Sequence, residues 1–193
     1  MKKGTKKIAI VLMMALLTVV MAACGNNENA SNAGTEGDGL KIAIVTSPSG
    51  VDDGNFNEDN YNGILSFIEN NPTATVKAIR EETGDPAAAV QAVADIVADY
   101  DVIVTPGFQF AGVSTIALEN PDKMFIINDS EPTPVGDQTT FDNVYAMNFA
   151  EQESGFFAGM AAALETKSNK VAVVNGIAYP SNVNYQFGFE SGV

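Results

Sequence analysis

Residues 41–46, Lys41-Ile42-Ala43-Ile44-Val45-Thr46, form a short apolar and β-branched run that ends at Ser47-Pro48-Ser49-Gly50. The run is apolar at successive positions rather than alternate ones, the pattern of a strand buried on both faces in a parallel sheet. Past the turn, Tyr61, Ile64, Leu65 and Ile68 recur at helical spacing and predict a helix from Glu58 to Asn70. The same unit then repeats. Thr75 to Ile79 reads as a second strand, and Asp85-Pro86 as a helix cap with proline at the first helical position. Behind that cap Ala89, Val90, Val93, Val97 and Tyr100 make one apolar stripe. Val102 to Thr105, Met124 to Ile127 and Val144 to Met147 are the next strands, with a short helix over Ser114 to Glu119. Phe157, Met160, Ala161 and Leu164 stripe a helix from Glu151 to Glu165. Strict alternation of strand and helix predicts an α/β fold, a parallel sheet with helices on both faces.

Val171 to Val174 is expected to open one more strand, and Gln186 to Val193 the helix after it. One strand cannot hide its own faces, so the chain reads as a fragment of something longer. Gly155 and Gly159 form a GxxxG on the Glu151–Glu165 helix, which predicts close approach of a neighbouring backbone.

Length and composition narrow the function. The 193 residues leave room for one domain and part of a second, and 46% hydrophobic residues suffice for a packed core. Ten Lys and Arg against 24 Asp and Glu give a net charge of -14, which cannot build a basic nucleic-acid surface. The absence of His excludes His-based triads, general bases and metal sites. A single Cys excludes an intrachain disulfide framework and Cys-rich zinc sites. Neither GxGxxG, a P-loop, GxSxG nor CxxC occurs, and a calcium loop starting at Asp53 would place Glu58 where glycine is needed. The expectation is a protein that is not an enzyme, with no cofactor, no metal and no catalytic residues.

The N-terminus supplies an address. Lys2, Lys3, Lys6 and Lys7 precede an apolar run from Ile8 to Met21, 14 residues against the roughly 20 that span a bilayer. The run ends at Met21-Ala22-Ala23-Cys24-Gly25, which resembles the lipobox of bacterial lipoproteins, with Met where Leu is usual. Residues 1–23 are thus expected to be a lipoprotein signal peptide and Cys24 the lipidated residue. Residues 24–39 hold no large apolar side chain and read as a flexible tether. Without the signal the remainder carries 6 basic and 24 acidic residues, a charge of -18.

Ligands of open α/β sheets bind beyond the carboxyl ends of the strands. Three loops there carry unusual residues: Ser47 to Asn57 after the first strand, Pro106 to Phe110 after the third, and Asn128-Asp129-Ser130 after the fourth. Phe56, Phe108 and Phe110 offer ring faces, Asn57 and Gln109 amides, and Asp129 a carboxylate. The set suits a flat polar ligand, since a base stacked on an aromatic ring is worth about 1–3 kcal/mol. Each has a plainer reading from its local pattern. Phe56 and Asn57 could be a hydrophobic staple and helix cap, Asp129 a turn former, and Phe108 and Phe110 core residues.

The loops in combination resemble one family. Val51-Asp52-Asp53-Gly54-Asn55-Phe56-Asn57 with Tyr61-Asn62-Gly63, then Gly107-Phe108 and Phe125-Ile126-Ile127-Asn128-Asp129, are similar to segments of the basic membrane protein (PnrA-like) family. So are Ala150-Glu151 through Ser154-Gly155-Phe156-Phe157-Ala158-Gly159-Met160-Ala161-Ala162 and Gly188-Phe189-Glu190-Ser191-Gly192-Val193. The resemblance implies a type I periplasmic-binding-protein fold. Its N-terminal α/β lobe would span residues 40–148, and 149–193 would be the hinge and truncated beginning of a second lobe. It implies a solute-binding lipoprotein of an ABC importer, capturing a nucleoside, commonly a purine, between the lobes. Its partners would be the permease with its ATPase, and the cell membrane through the N-terminal lipid, with no nucleic acid. By this resemblance Phe56 would stack on the base, Asn57 and Asp129 would bond its edge, and Gly107-Phe108 would line the cleft. Ser47 and Asp53 complete the candidate ligand-binding set; the family usually has Asp where Ser47 stands. A sugar or signalling molecule on the same fold, or a surface lipoprotein outside transport, are the alternative expectations.

Overall fold

The computed structural model describes residues 39–193. The signal-peptide and tether readings, with Cys24, lie outside the described residues. Five strands are formed: β1 (Lys41–Thr46), β2 (Thr75–Arg80), β3 (Val102–Pro106), β4 (Met124–Asn128) and β5 (Val144–Met147). They join in one sheet of order β2-β1-β3-β4-β5, parallel throughout. Ile44 sits opposite both Ala78 and Val104, and Ile103 opposite Phe125. Ile42 to Thr46 are buried, as a strand covered on both faces requires.

Helices cover the two faces unequally. On one face α2 (Pro86–Ala94) and α3 (Ser114–Glu119) pack Val93, Ile116 and Ala117 onto Val45, Ile103, Phe125 and Ile127. Two 3₁₀ turns, Val97–Asp99 and Phe108–Val113, add Val97, Phe110 and Val113 to this cluster. Asp85 caps α2, its Oδ1 accepting the N–H groups of Ala87 and Ala88 at 2.9 and 3.0 Å. On the other face α1 (Phe56–Asn70) lays Ile64 over Ile42, Ile44 and Val104. Between α1 and the β3–β5 side of that face runs an apolar trough of about 620 Å³, lined by Ile64, Phe67, Val104, Ile126 and Met147 among others.

Beyond β5 come α4 (Glu151–Glu165) and α5 (Pro180–Gly192). The close approach expected of Gly155 and Gly159 is present, and its partner is a second GxxxG, Gly188 and Gly192. A Cβ on Gly155 would lie 2.1 Å from the carbonyl oxygen of Tyr185, and one on Gly159 2.1 Å from that of Phe189. One on Gly188 would lie 2.0 Å from Gln152 O, and one on Gly192 2.1 Å from Phe156 O. Contacts advance together along both helices, so the pair runs parallel, backbone against backbone.

Two boundaries and one element differ from the sequence reading. α1 begins at Phe56 rather than Glu58, because Asp53 caps it from the preceding loop. α5 begins at Pro180 rather than Gln186. Residues 171–174 form no strand, and Val174 is 94% exposed. A strand's N–H and C=O groups need a hydrogen-bonded neighbour, and no described strand pairs with this segment.

Candidate ligand-binding site

The carboxyl edge of the sheet is where the chain leaves its polar chemistry. After β1, Asp53 accepts the N–H groups of Asn55 (3.0 Å), Glu58 (3.1 Å) and Asn57 (3.3 Å), while Glu58 Oε2 accepts from Gly54 N–H at 2.8 Å. This reciprocal bonding fixes the start of α1. Burial alone would raise the Asp53 carboxyl, but these N–H groups and the Asn57 amide hold it below its ordinary value. Asn57 is buried, and its Nδ2 donates to Ser47 Oγ (2.9 Å) and Asp53 Oδ2 (3.0 Å). Ser47, Asp53 and Asn57 are therefore one cluster. The N-cap position of α1 is Asn55, and the side chain that accepts the helix's first N–H groups is that of Asp53 and not of Asn57. Both amide protons of Asn57 are used inside the protein, so its Oδ1 is the atom free to meet a donor.

After β3 the chain turns at Gly107, φ 106°, a backbone region that favours glycine. Its N–H donates to Asn128 O at 2.8 Å and sets Phe108 on the rim, half-buried, while Phe110 points into the core. Of the two rings that could have been core, one is. After β4, Asp129 adopts φ 64°, uncommon for a residue with a side chain, and its N–H donates to Met147 O at 2.8 Å. Desolvation, and the Glu151 carboxylate nearby, push the Asp129 carboxyl above its ordinary value.

Phe108 and Asp129 line one cavity of about 440 Å³ together with Asn148, Phe149, Glu151 and Tyr179. Phe56 lines the trough instead, beside Asn60, Asn128 and Phe149. The structure thus divides the candidate residues between two adjoining hollows, and Phe149 borders both. Asn128 Nδ2 donates to Asn60 Oδ1 at 2.7 Å. Among the described residues, the buried side-chain polar atoms that meet no partner are Thr46 Oγ1 and Asn128 Oδ1. Both sit at strand ends on this edge, where a polar ligand would satisfy them.

Sequence reasoning missed Tyr179 and Phe149, and gave Asn128 and Glu151 no role of their own although both stood in segments it singled out. The signal for Tyr179 was its place before Pro180, an aromatic residue at a helix start. Glu151 stood in the sequence at the start of a helix and of a family-like segment, and nothing local ties it to Asp129.

A group whose folded value is raised destabilises the fold once it ionises. Asp129→Asn is therefore expected to raise the Tm of the ligand-free protein at neutral pH. The wild type loses stability as pH rises through the raised value, so the advantage should vanish below about pH 4, where Asp129 is neutral in either state. Thermal unfolding of both proteins across pH reads this directly.

A parallel sheet with its polar residues at the carboxyl edge, leading through Met147 into further helices, places a candidate ligand site beyond the strand ends. A protein from Aeropyrum pernix described as "ABC transporter system solute-binding proteins" superposes with a TM-score of 0.63 over 79% of this chain and 42% of its own, at 20% identity. The profile of the family described as "ABC transporter substrate-binding protein PnrA-like" matches residues 40–193, and the chain belongs to that family. The fold class is the expected one: an α/β fold with a parallel sheet and helices on both faces. The family is one of substrate-binding proteins, not of enzymes. The "ABC transporter nucleoside-binding protein BmpA" of Lactococcus lactis subsp. cremoris is 28% identical over 97% of this chain and 53% of its own. The "CD4+ T-cell-stimulating antigen" of Listeria innocua is 27% identical over 100% of this chain and 54% of its own. The chain spans about half the length of the curated relatives it matches.

Proposed function

We propose that this chain is the ligand-gripping first lobe, with the opening of the second, of a lipoprotein that captures a neutral nucleoside for an ABC permease. The observation that carries this reading is the cleft itself. The Phe108 and Phe149 rings stand beside the Asp129 carboxyl, and two buried acceptors without partners, Thr46 Oγ1 and Asn128 Oδ1, lie on the same edge. Rings suit a base, and acceptors suit amino, imino and ribose hydroxyl donors. Asp129, Glu131 and Glu151 line the cavity with no Lys or Arg, which disfavours phosphorylated ligands. The likeness to the nucleoside-binding protein of Lactococcus lactis supports the ligand class.

In this reading residues 40–148 are one lobe and 149–193 the hinge and start of the other. The lobes close about Met147 to Glu151, and closure presents the docking surface for the permease. Cys24 carries the lipid that holds the protein outside the cytoplasmic membrane, and residues 24–39 are the tether. Ser47, Asp53 and Asn57 form a fixed polar wall, Gly107 sets the rim, and Phe56, on the adjoining trough, stacks on a base that reaches past Phe149, the residue common to both hollows.

Calorimetric titration of the purified protein with inosine, guanosine and adenosine, their monophosphates and ribose tests the reading. Nucleosides are expected to bind and monophosphates not. Phe56→Ala should weaken nucleoside binding by about 1–3 kcal/mol, roughly five- to 150-fold. Binding of ribose alone would keep the fold and discard the ligand. Binding of monophosphates in preference to nucleosides would contradict the acidic cleft.

A further inference from the structure

The ring of Tyr179 lies on that of Phe108, centroids 3.9 Å apart and planes tilted by 32°. Both line the cavity that holds Asp129 and Glu151. Rings in direct contact leave no slot between them, since a flat ligand inserted there needs nearly twice that separation. Phe108 is anchored: Gly107 fixes the turn before it, and buried Phe110 fixes the turn after it. Tyr179 is not anchored in the same way. Its backbone is held at the start of α5, the carbonyl oxygen accepting Val183 N–H at 2.9 Å, but its hydroxyl makes no hydrogen bond among the described residues. The Tyr179 side chain can therefore turn off Phe108 without breaking a hydrogen bond.

We propose that Tyr179 is a specificity-determining residue that acts as a built-in ligand, covering the face of Phe108 in the empty protein and competing with any ring-bearing solute for it. The inference rests on the reading of the cleft as a site for a flat ligand. It adds that this face becomes available only when Tyr179 moves away. Solutes without a ring cannot replace the lost aromatic contact, so they gain nothing by displacing Tyr179. The pair thereby raises the threshold for non-aromatic solutes while a stacked ligand restores what it removes.

Titration of the ligand-stripped chain with inosine and, separately, with indole tests this, followed by amide chemical shifts that register weak binding. The proteins compared are wild type, Tyr179→Ala and Tyr179→Phe. Tyr179→Ala, relieved of competition, is expected to bind both probes about three- to ten-fold more tightly than wild type. Tyr179→Phe, which keeps the ring, is expected to bind as wild type does. Tyr179→Leu, which keeps apolar bulk without a ring, serves if alanine loosens the segment, and should also bind more tightly. Equal or weaker binding of both probes by the Ala and Leu variants would overturn the inference, since Tyr179 would then be a ligand contact or a bystander. Tighter indole binding with no inosine binding in any variant would keep the inference and remove the nucleoside reading. Failure of indole to bind the variants at all would show that the face of Phe108 accepts no ring, and the inference would fall.

Discussion

Phe110→Ala is expected to lower the unfolding free energy by about 3–5 kcal/mol, the range for removing a fully buried aromatic ring. Phe108→Ala, two residues away, should cost far less. Phe110 is fully buried among Val93, Val113, Phe125 and neighbouring core residues, so its loss leaves a cavity bounded by strands that cannot collapse into it. Phe108 faces the cleft and touches Tyr179, so its loss falls on ligand binding. Denaturant unfolding of the two variants, read by far-ultraviolet dichroism, measures the contrast. Equal losses would mean that the 3₁₀ turn Phe108–Val113 does not separate rim from core. Phe110 also carries Phe108, so its variant should lose ligand affinity as well, whereas Phe108→Ala should spare the fold.

Gly159→Val is expected to separate α4 from α5. Its first side-chain carbon would fall 2.1 Å from Phe189 O, and the obstacle is backbone that cannot rotate aside. Overpacking of this kind costs about 1–3 kcal/mol and occasionally more. The loss should be local. Hydrogen exchange should show α5 amides losing protection while β1, β3 and β4, held by their own ladders, keep theirs. Gly63→Ala is the control. Gly63 lies within α1 with open space around it, so the methyl group should stabilise the helix by about 0.5–1 kcal/mol. Opposite signs at two helical glycines would separate close approach from helix propensity.

Buried parallel strands announce themselves because every position is apolar. The five segments read as strands of this sheet, Lys41–Thr46 first among them, are found within a residue or so of their expected ends. Elements whose ends depend on partners were less legible. The start of α1 is set by Asp53, three positions outside the helix, which a search for a neighbouring cap passes over. Val171 to Val174 has a strand's composition, but composition supplies no hydrogen-bonding neighbour. In the site, individual residues were legible and their grouping was not. Phe56 and Phe108 look equivalent in sequence, yet they border different hollows because α1 and the 3₁₀ turn leave the sheet on opposite sides. The opposition of Asp129 and Glu151 arises from β4 and α4 meeting in space, 22 residues apart in the chain.

The glycine contact between α4 and α5 also arranges charge. Helices that touch in parallel bring the same ends of their dipoles together, each amino end equivalent to about half a positive charge. Both amino ends, at Glu151 and Pro180, lie beside the cleft. The Glu151 carboxylate stands between them, its Oε1 accepting Phe149 N–H at 3.3 Å and its Oε2 the Asn184 amide at 3.4 Å. At Glu151 the backbone itself supplies counter-charge that Lys or Arg would supply elsewhere, while Asp129 across the cavity goes without it. That counter-charge has no side chain to swing out and no proton to lose, so it is the same in acid and in base.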